Sequence, residues 1–172
     1  MNPSAFFNMS YGVYIASSIN NEGKLNAHIV NAVMQTTSSP ATFCLASNKN
    51  NLTCEYIQQS KVFAVSVVDN DADMKFIGRF GFRTGRDIDK FDGINYRVGQ
   101  TGAPIVLEHT VAFVECKVIN QIDLGSHILF VGEVIDADNI AELKPLTYAD
   151  YHNVKKGLSP KNAPTYIEKP KA

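Results

Sequence analysis

The sequence has no tryptophan, only three cysteines among 172 residues, and no excess of either charge sign. Each shortage narrows the field. Cys44, Cys54 and Cys116 form no C-x-x-C pair, and an odd number of cysteines makes a poor disulfide framework. The expected state is three reduced thiols in a cytoplasm. Sixteen Lys and Arg against seventeen Asp and Glu leave a net charge of −1, which gathers neither nucleic acid nor an anionic membrane. No apolar run approaches the roughly 18 residues of a membrane span. The start, MNPSAFFNMSYG, has no basic region followed by an apolar one, so no secretory leader is expected.

Signature motifs are also missing. There is no G-x-G-x-x-G, Walker A, G-x-S-x-G or H-E-x-x-H, which removes the common dinucleotide, nucleotide, hydrolase and zinc patterns. His28, His109, His127 and His152 are scattered without i, i+4 spacing, so no metal site is expected. Neither internal repeats nor low-complexity segments occur.

What remains is a single domain over residues 1–172, long enough to bury a core, with 45% hydrophobic and 19% charged residues. Short β-branched and aromatic runs dominate: Tyr11–Ser18, Ala41–Ser47 and Val62–Val68 read as strands. Thr110–Asp123 and His127–Asp138 read as a long antiparallel hairpin across Leu124-Gly125-Ser126. Gly132 inside the second arm predicts a bulge or a close approach. Three short helices are predicted. Thr53 caps one over Cys54–Ser60, a second covers residues 71–82 with Met74, Ile77 and Phe80 on one face, and Thr147 caps a third that stops at Gly157. Strands without regular helical crossovers argue for a small, mostly antiparallel barrel rather than a parallel sheet. The tail from about 157 to 172, with Pro160, Pro164 and Pro170, is expected to run extended.

Three stretches carry chemistry. GKLNAHIVNAVMQTTSSP, residues 23–40, packs Asn26, Asn31, Gln35, Thr36, Thr37, Ser38 and Ser39 among apolar residues, more amides and hydroxyls than a plain core strand needs. SNKNNLT, residues 47–53, follows a strand and opens a helix, an arrangement that binds anions, with Lys49 nearby; an ordinary polar loop is the competing explanation. GRFGFRTGRDIDKF, residues 78–91, offers Arg79, Arg83, Arg86 and Lys90 as an anion clamp, although Asp87 and Asp89 equally suit a solvated loop. A heterocycle with ring carbonyls and nitrogens needs amides and hydroxyls at its edge, apolar faces, and a phosphate socket one strand away. Those are the demands of flavin mononucleotide.

With MSYGVYIAS, NAHIVNAVMQTTSSP, NKNNLTCEYI, FIGRFGFRTGRDIDKFDGINY, TGAPIV, GSHILFVGEVIDA, LTYADYH and PKNAPTY in order along nearly the whole chain, the sequence resembles the FMN-binding split-barrel flavin reductases. The resemblance is to the subgroup of flavoredoxin, archaeal ferric reductase and the flavin module of high-molecular-weight rubredoxins. It implies a mainly β fold, a six-stranded antiparallel Greek-key split barrel with a few flanking helices, in a homodimer that holds FMN near the subunit interface. It also implies that His28, Ile29, Asn31, Ala32, Gln35, Thr36, Thr37 and Ser38 line the ring and ribityl chain. Ser47, Asn48, Asn51 and Thr53, with Lys90 as a further candidate, would hold the phosphate. His127, in GSHILFVGEV where relatives often read GDHTLFVGEV, would lie beside the nicotinamide or flavin ring as the catalytic residue. Ser126 in place of Asp removes the charge partner such an imidazole would have.

The implied activity is NAD(P)H-dependent flavin reduction, hydride passing from NADH or NADPH to FMN and electrons leaving to free flavin, a ferric chelate or a rubredoxin-like protein. Two alternatives stay open: a flavoredoxin-like carrier reduced by a partner protein, and a flavin-holding protein without turnover.

Overall fold

Two edge strands that belong at opposite sides of the sheet are separated in the chain by only Asn31 and Ala32. That junction shapes the molecule. The structure is a computed structural model and describes residues 2, 5, 8–160 and 163–166; residues 161–162 and 167–172 of the expected tail lie outside the described residues. Its elements run β1 (Tyr14–Ile19), β2 (Leu25–Val30), β3 (Val33–Ser38), β4 (Ala41–Asn48), α1 (Leu52–Ser60), β5 (Val62–Val68), α2 (Met74–Gly81), β6 (Tyr96–Val98), β7 (Pro104–Val106), β8 (Thr110–Asp123), β9 (His127–Asn139) and α3 (Tyr148–Asn153).

The main sheet has seven strands in the order β2-β1-β5-β8-β9-β4-β3, and every pairing is antiparallel. Strands β6 and β7 form a separate antiparallel pair that the sequence reading did not include. Two extended residues span only about 7 Å, so the sheet must curl until the end of β2 comes close to the start of β3, although the two strands do not pair. Seven strands stand where six were expected because the amide-rich segment breaks at Asn31–Ala32 into two. At the break Val33 N–H donates to Asn31 O and Ala46 N–H donates to Ala32 O, both at 3.0 Å.

Both faces of β1 are buried, as its burial pattern requires. Ala16 points into the cluster of Leu45, Ile57, Phe63, Val65 and Phe130, while its neighbour Ile15 points to Ile77, Phe80, Leu146 and Tyr151. Fully buried Phe63 stabilises the fold by roughly 1.5–3 kcal/mol relative to leaving it exposed. Gly132 is the close approach expected there: an added Cβ would lie 2.7 Å from Cys116 Cβ and from two carbons of the Phe63 ring. The register also shifts twice along this hairpin: Ile135 of β9 is the extra residue between the Glu115–Asp136 and Cys116–Val134 pairs, and Ile119 of β8 is the extra residue between the Val118–Gly132 and Asn120–Val131 pairs, beside Gly132.

Local chemistry sets the helices, with three corrections. The N-cap of α1 is Asn51, not Thr53, which lies buried in the first turn. Asp73 caps α2 by accepting from Phe76 N–H at 2.7 Å, which rotates Phe76, Ile77 and Phe80 inward and leaves Met74 38% exposed. Thr147 caps α3 as expected, accepting from Asp150 N–H at 3.0 Å, but the helix ends at Asn153 rather than running to Gly157. The segment before α3 is lashed to the sheet by Val13 N–H to Leu146 O (3.0 Å) and Leu146 N–H to Val68 O (2.8 Å). This delivers Tyr148 and Tyr151 to the end of the curl where β2 and α1 meet. Among the described residues no helix is long and apolar enough to cross a membrane.

Candidate functional site

Alternation along β2 puts Asn26 and His28 on one face and Ala27 on the other. Asn26 Nδ2 donates to Thr53 Oγ1 at 3.0 Å, joining the strand to the first turn of α1. His28, 6% exposed, sets Nε2 3.3 Å from Ser47 Oγ, while its Nδ1 is buried with no hydrogen-bond partner. Burial, then the nearby Lys90 ammonium and His127, push the His28 imidazole down to about 3, so the ring is neutral at ordinary pH.

Next to this face lies the start of α1. Asn48 Oδ1 accepts from Asn50 N–H at 2.9 Å and Asn48 O accepts from Asn51 N–H at 3.0 Å, which folds residues 48–51 into a tight turn. The side chain of Asn51 makes no capping bond. The N-terminal turn of α1 therefore presents its dipole, with Asn51 and Thr53, to the neighbouring space. Lys49 does not join it. Its Nζ donates to Asp123 Oδ2 at 2.6 Å, because the β4–β9 pairing brings the tip of the β8–β9 hairpin alongside.

A cavity of about 290 Å³ opens between this turn and three other walls. One is the end of α2 and the loop after it, Phe80 to Gly85. Here Arg83 is a lining residue, whereas Arg86 pairs with Glu55 and Arg79 Nη1 donates to Asp92 O at 2.6 Å. Lys90, only 4% exposed, donates from Nζ to Ala27 O (2.8 Å) and Phe80 O (3.0 Å), and burial lowers its pKa to about 8. It thus clips the C-terminal turn of α2 to the edge of β2. The second wall is His127, which lies opposite Asn48 and has Nδ1 2.8 Å from Ser126 Oγ. Tyr148, Tyr151 and residues 158–160 and 163–164 close the third. Tyr151 OH donates to Leu158 O at 2.9 Å, and Tyr148 OH is bonded to Ser159 Oγ (2.7 Å) and to Thr165 Oγ1.

Of the residues singled out in the sequence, His28, Ile29, Asn31, Asn48, Asn51, Thr53, Lys90 and His127 meet in this cavity. Ser47 stands behind it, against His28. Ala32, Gln35, Thr36, Thr37 and Ser38 are not among the residues that line it. The chain turns at Asn31–Ala32, and β3 then runs along the sheet edge with Gln35 to Ser38 exposed. There Thr36 and Thr37 share Thr42 Oγ1, each at 2.6 Å, and Gln35 Nε2 donates to Thr37 O at 3.3 Å. Within one chain those amides and hydroxyls hold the β3–β4 hairpin. Asn26 stands in the sequence as one of the amides of residues 23–40 without a site role, and Tyr148 and Tyr151 stand in LTYADYH likewise. Period-two spacing from His28 could have found Asn26; nothing local marks the tyrosines.

Residues 6–156 match the Flavin reductase like domain. The chain belongs to that family. Among flavin reductase like relatives, the ferric-chelate reductase (NAD(P)H) of Archaeoglobus fulgidus is 45% identical over 168 residues, covering 98% of this chain and 99% of that one. The high molecular weight rubredoxin of Moorella thermoacetica is 40% identical over 166 residues, covering 96% of this chain and 72% of its own length. The crystal structure of flavin reductase HpaC complexed with NADP+ superposes with a TM-score of 0.71 at 28% identity, over 84% of this chain and 89% of that one. The residues present suit a flavin: a helix N-terminus with Asn51 and Thr53 for a phosphate, Ile29, Phe80 and Tyr148 for apolar contact, and a buried ring nitrogen at His28 awaiting a partner.

Proposed function

We propose that the protein is an FMN-containing, NAD(P)H-dependent flavin oxidoreductase. The observation that carries this is the joining, in one cavity, of the α1 N-terminus with the half-satisfied face of β2, in a chain of the flavin reductase like domain family. Bound flavin supplies the chemistry of taking hydride from a reduced nicotinamide and releasing electrons to a second acceptor. The chain's own task is placement.

In this proposal the first turn of α1, with Asn48, Asn51 and Thr53, holds the ribityl phosphate through backbone N–H groups and the helix dipole. Ile29 and Phe80 cover the ring, His28 and Asn31 meet its polar edge, and His127 stands where a nicotinamide approaches. Lys90 adds a cation whose hydrogen-bond partners among the described residues are two carbonyls. The acceptor is free flavin, a ferric chelate or a small redox protein. A relative named as a rubredoxin supports the last, and with it the second reading, a flavoredoxin-like carrier reduced by a partner protein.

A homodimer is part of the proposal. Met34 on β3 and Ile119, Ile122 and Leu124 at the β8–β9 tip are 47–63% exposed, apolar surface that a second subunit would cover. Such a partner against β3 would bring Gln35, Thr36, Thr37 and Ser38 to a flavin held near the interface, a role one chain does not give them.

The test is anaerobic mixing of the FMN-loaded protein with NADH and with NADPH while the oxidised flavin band is followed. Bleaching by a nucleotide at turnover rates is expected. No bleaching with either, but reduction by a redox protein, would transfer the assignment to the carrier.

A further inference from the structure

His28 is the cavity residue whose bonding is half complete. A neutral imidazole carries one donor and one acceptor nitrogen, and both need partners when buried. Nε2 is spoken for by Ser47 Oγ at 3.3 Å. Nδ1 is buried, without a hydrogen-bond partner, on a side chain that lines the cavity. Two residues earlier, on the same face of β2, Asn26 is satisfied by Thr53 at the start of α1. The strand therefore works as a ruler. His28 lies about 7 Å along β2 from the proposed phosphate end, which is where a ribityl chain gives way to a ring.

We propose that His28 Nδ1 makes the hydrogen bond that reads the heteroatom edge of the flavin ring, and that Ser47 is the positioning residue that fixes the imidazole through Nε2. This rests on the flavin reading of the cavity. The flavin edge alternates carbonyl acceptors with a ring N–H donor, so it offers a partner to either tautomer. The charged and titratable neighbours are Lys90, from the segment after α2, and His127, from β9; both disfavour a second proton on the ring. His28 thus meets the ligand as a neutral group, and it selects for a heterocycle with a polar rim over an apolar one of the same size. Ser47 is buried and outside the cavity wall, and its hydroxyl bonds to His28, so the effect of losing that hydroxyl on ligand binding runs through the imidazole.

The experiment is a fluorescence titration of the apo-protein with FMN, for the wild type, His28→Leu, His28→Gln, Ser47→Ala and the His28→Leu/Ser47→Ala pair, with a thermal melt of each apo-protein. Loss of one buried hydrogen bond is expected to weaken FMN binding roughly 5- to 100-fold in His28→Leu. Glutamine, with both donor and acceptor, should restore affinity to within about threefold. Ser47→Ala should weaken binding in the wild type and add nothing in the His28→Leu background. A folded His28→Leu protein with wild-type FMN affinity overturns the proposal, and additive effects of the two changes overturn the positioning role of Ser47. A measurement without mutation guards against misfolding: in protein carrying ¹⁵N-histidine, FMN should move the Nδ1 resonance of His28 far more than the Nε2 resonance. An unmoved Nδ1 at saturating FMN overturns the contact while leaving the flavin reading intact. Wild-type protein that binds no FMN overturns that reading itself.

Discussion

The side-chain amide of Asn26 donates to the hydroxyl of Thr53 at 3.0 Å, tying the edge strand β2 to the first turn of α1. The bond leaves the Thr53 hydroxyl hydrogen free for a ligand while fixing where the helix begins. Asn26 is itself hemmed in, since a Cβ at Gly85 would lie 2.0 Å from Asn26 Oδ1. Thr53→Val keeps the shape but leaves a buried amide short of an acceptor, a cost of about 1–3 kcal/mol. Urea unfolding of the apo-protein measures it; an unchanged midpoint would mean that Asn26 has found another acceptor.

The same turn is the proposed phosphate socket. Asn51→Ala combined with Thr53→Ala should weaken FMN binding, each lost charge-assisted contact costing about 1.5–3 kcal/mol. Riboflavin, which has no phosphate, should lose far less in the same double mutant. Equal losses for both ligands would place the phosphate elsewhere.

Gly132→Ala tests the packing of the sheet interior. The new methyl would meet Cys116 Cβ and the Phe63 ring at 2.7 Å, and both are buried. Overpacking of this kind costs about 1–3 kcal/mol, which for a chain of this size lowers Tm by roughly 2–12 °C. Differential scanning calorimetry is the measurement, and no shift would mean that Phe63 can move aside.

Acid should destabilise the apo-protein through His28. The folded group titrates near 3 and the unfolded one near 6.5, so between these values the unfolded chain binds more protons. The stability is fully present above about 6.5 and is lost as pH falls toward 3. The gap between wild type and His28→Gln should change by a value on the order of 3 kcal/mol between pH 7 and pH 4, glutamine being favoured in acid. Parallel pH profiles would contradict the assignment.

Tyr148→Phe should loosen the wall beyond α3. The hydroxyl bonds to Ser159 and Thr165, and its removal leaves Leu158 and Ser159 held chiefly by Tyr151 OH. Hydrogen exchange at the amides of Leu158 and Ser159 should speed up by roughly 2- to 10-fold. Unaltered exchange would show that packing on Tyr151 suffices.

The long hairpin shows how much was legible. Thr110–Asp123 matches its strand residue for residue, and His127–Asp138 falls one short of the observed end, because alternation and the Gly125 turn are local properties. Val62–Val68 was equally plain. Helix faces were less so: a cap at Asp73 rather than a free start rotated Met74 outward. In the site, SNKNNLT was readable as the turn that opens a helix, whereas Lys49 within it is drawn off by Asp123, seventy-four residues away.

By itself the sequence determined the long β8–β9 hairpin, strand β5, the Thr147 cap of α3, the family and the turn at the head of α1, since each depends on neighbours within a few positions. Only the tertiary structure decided which polar residues of 23–40 face the cavity. Asn26, His28 and Asn31 do, and Gln35 to Ser38 leave with β3, because the chain passes from one edge strand of the curled sheet to the other at Asn31–Ala32 and must change direction there. The tyrosines of α3, and the two carbonyls that hold the buried ammonium of Lys90, were likewise set by packing between distant segments. Contacts between distant segments form wherever burial and hydrogen bonding are satisfied together, and no local pattern records them.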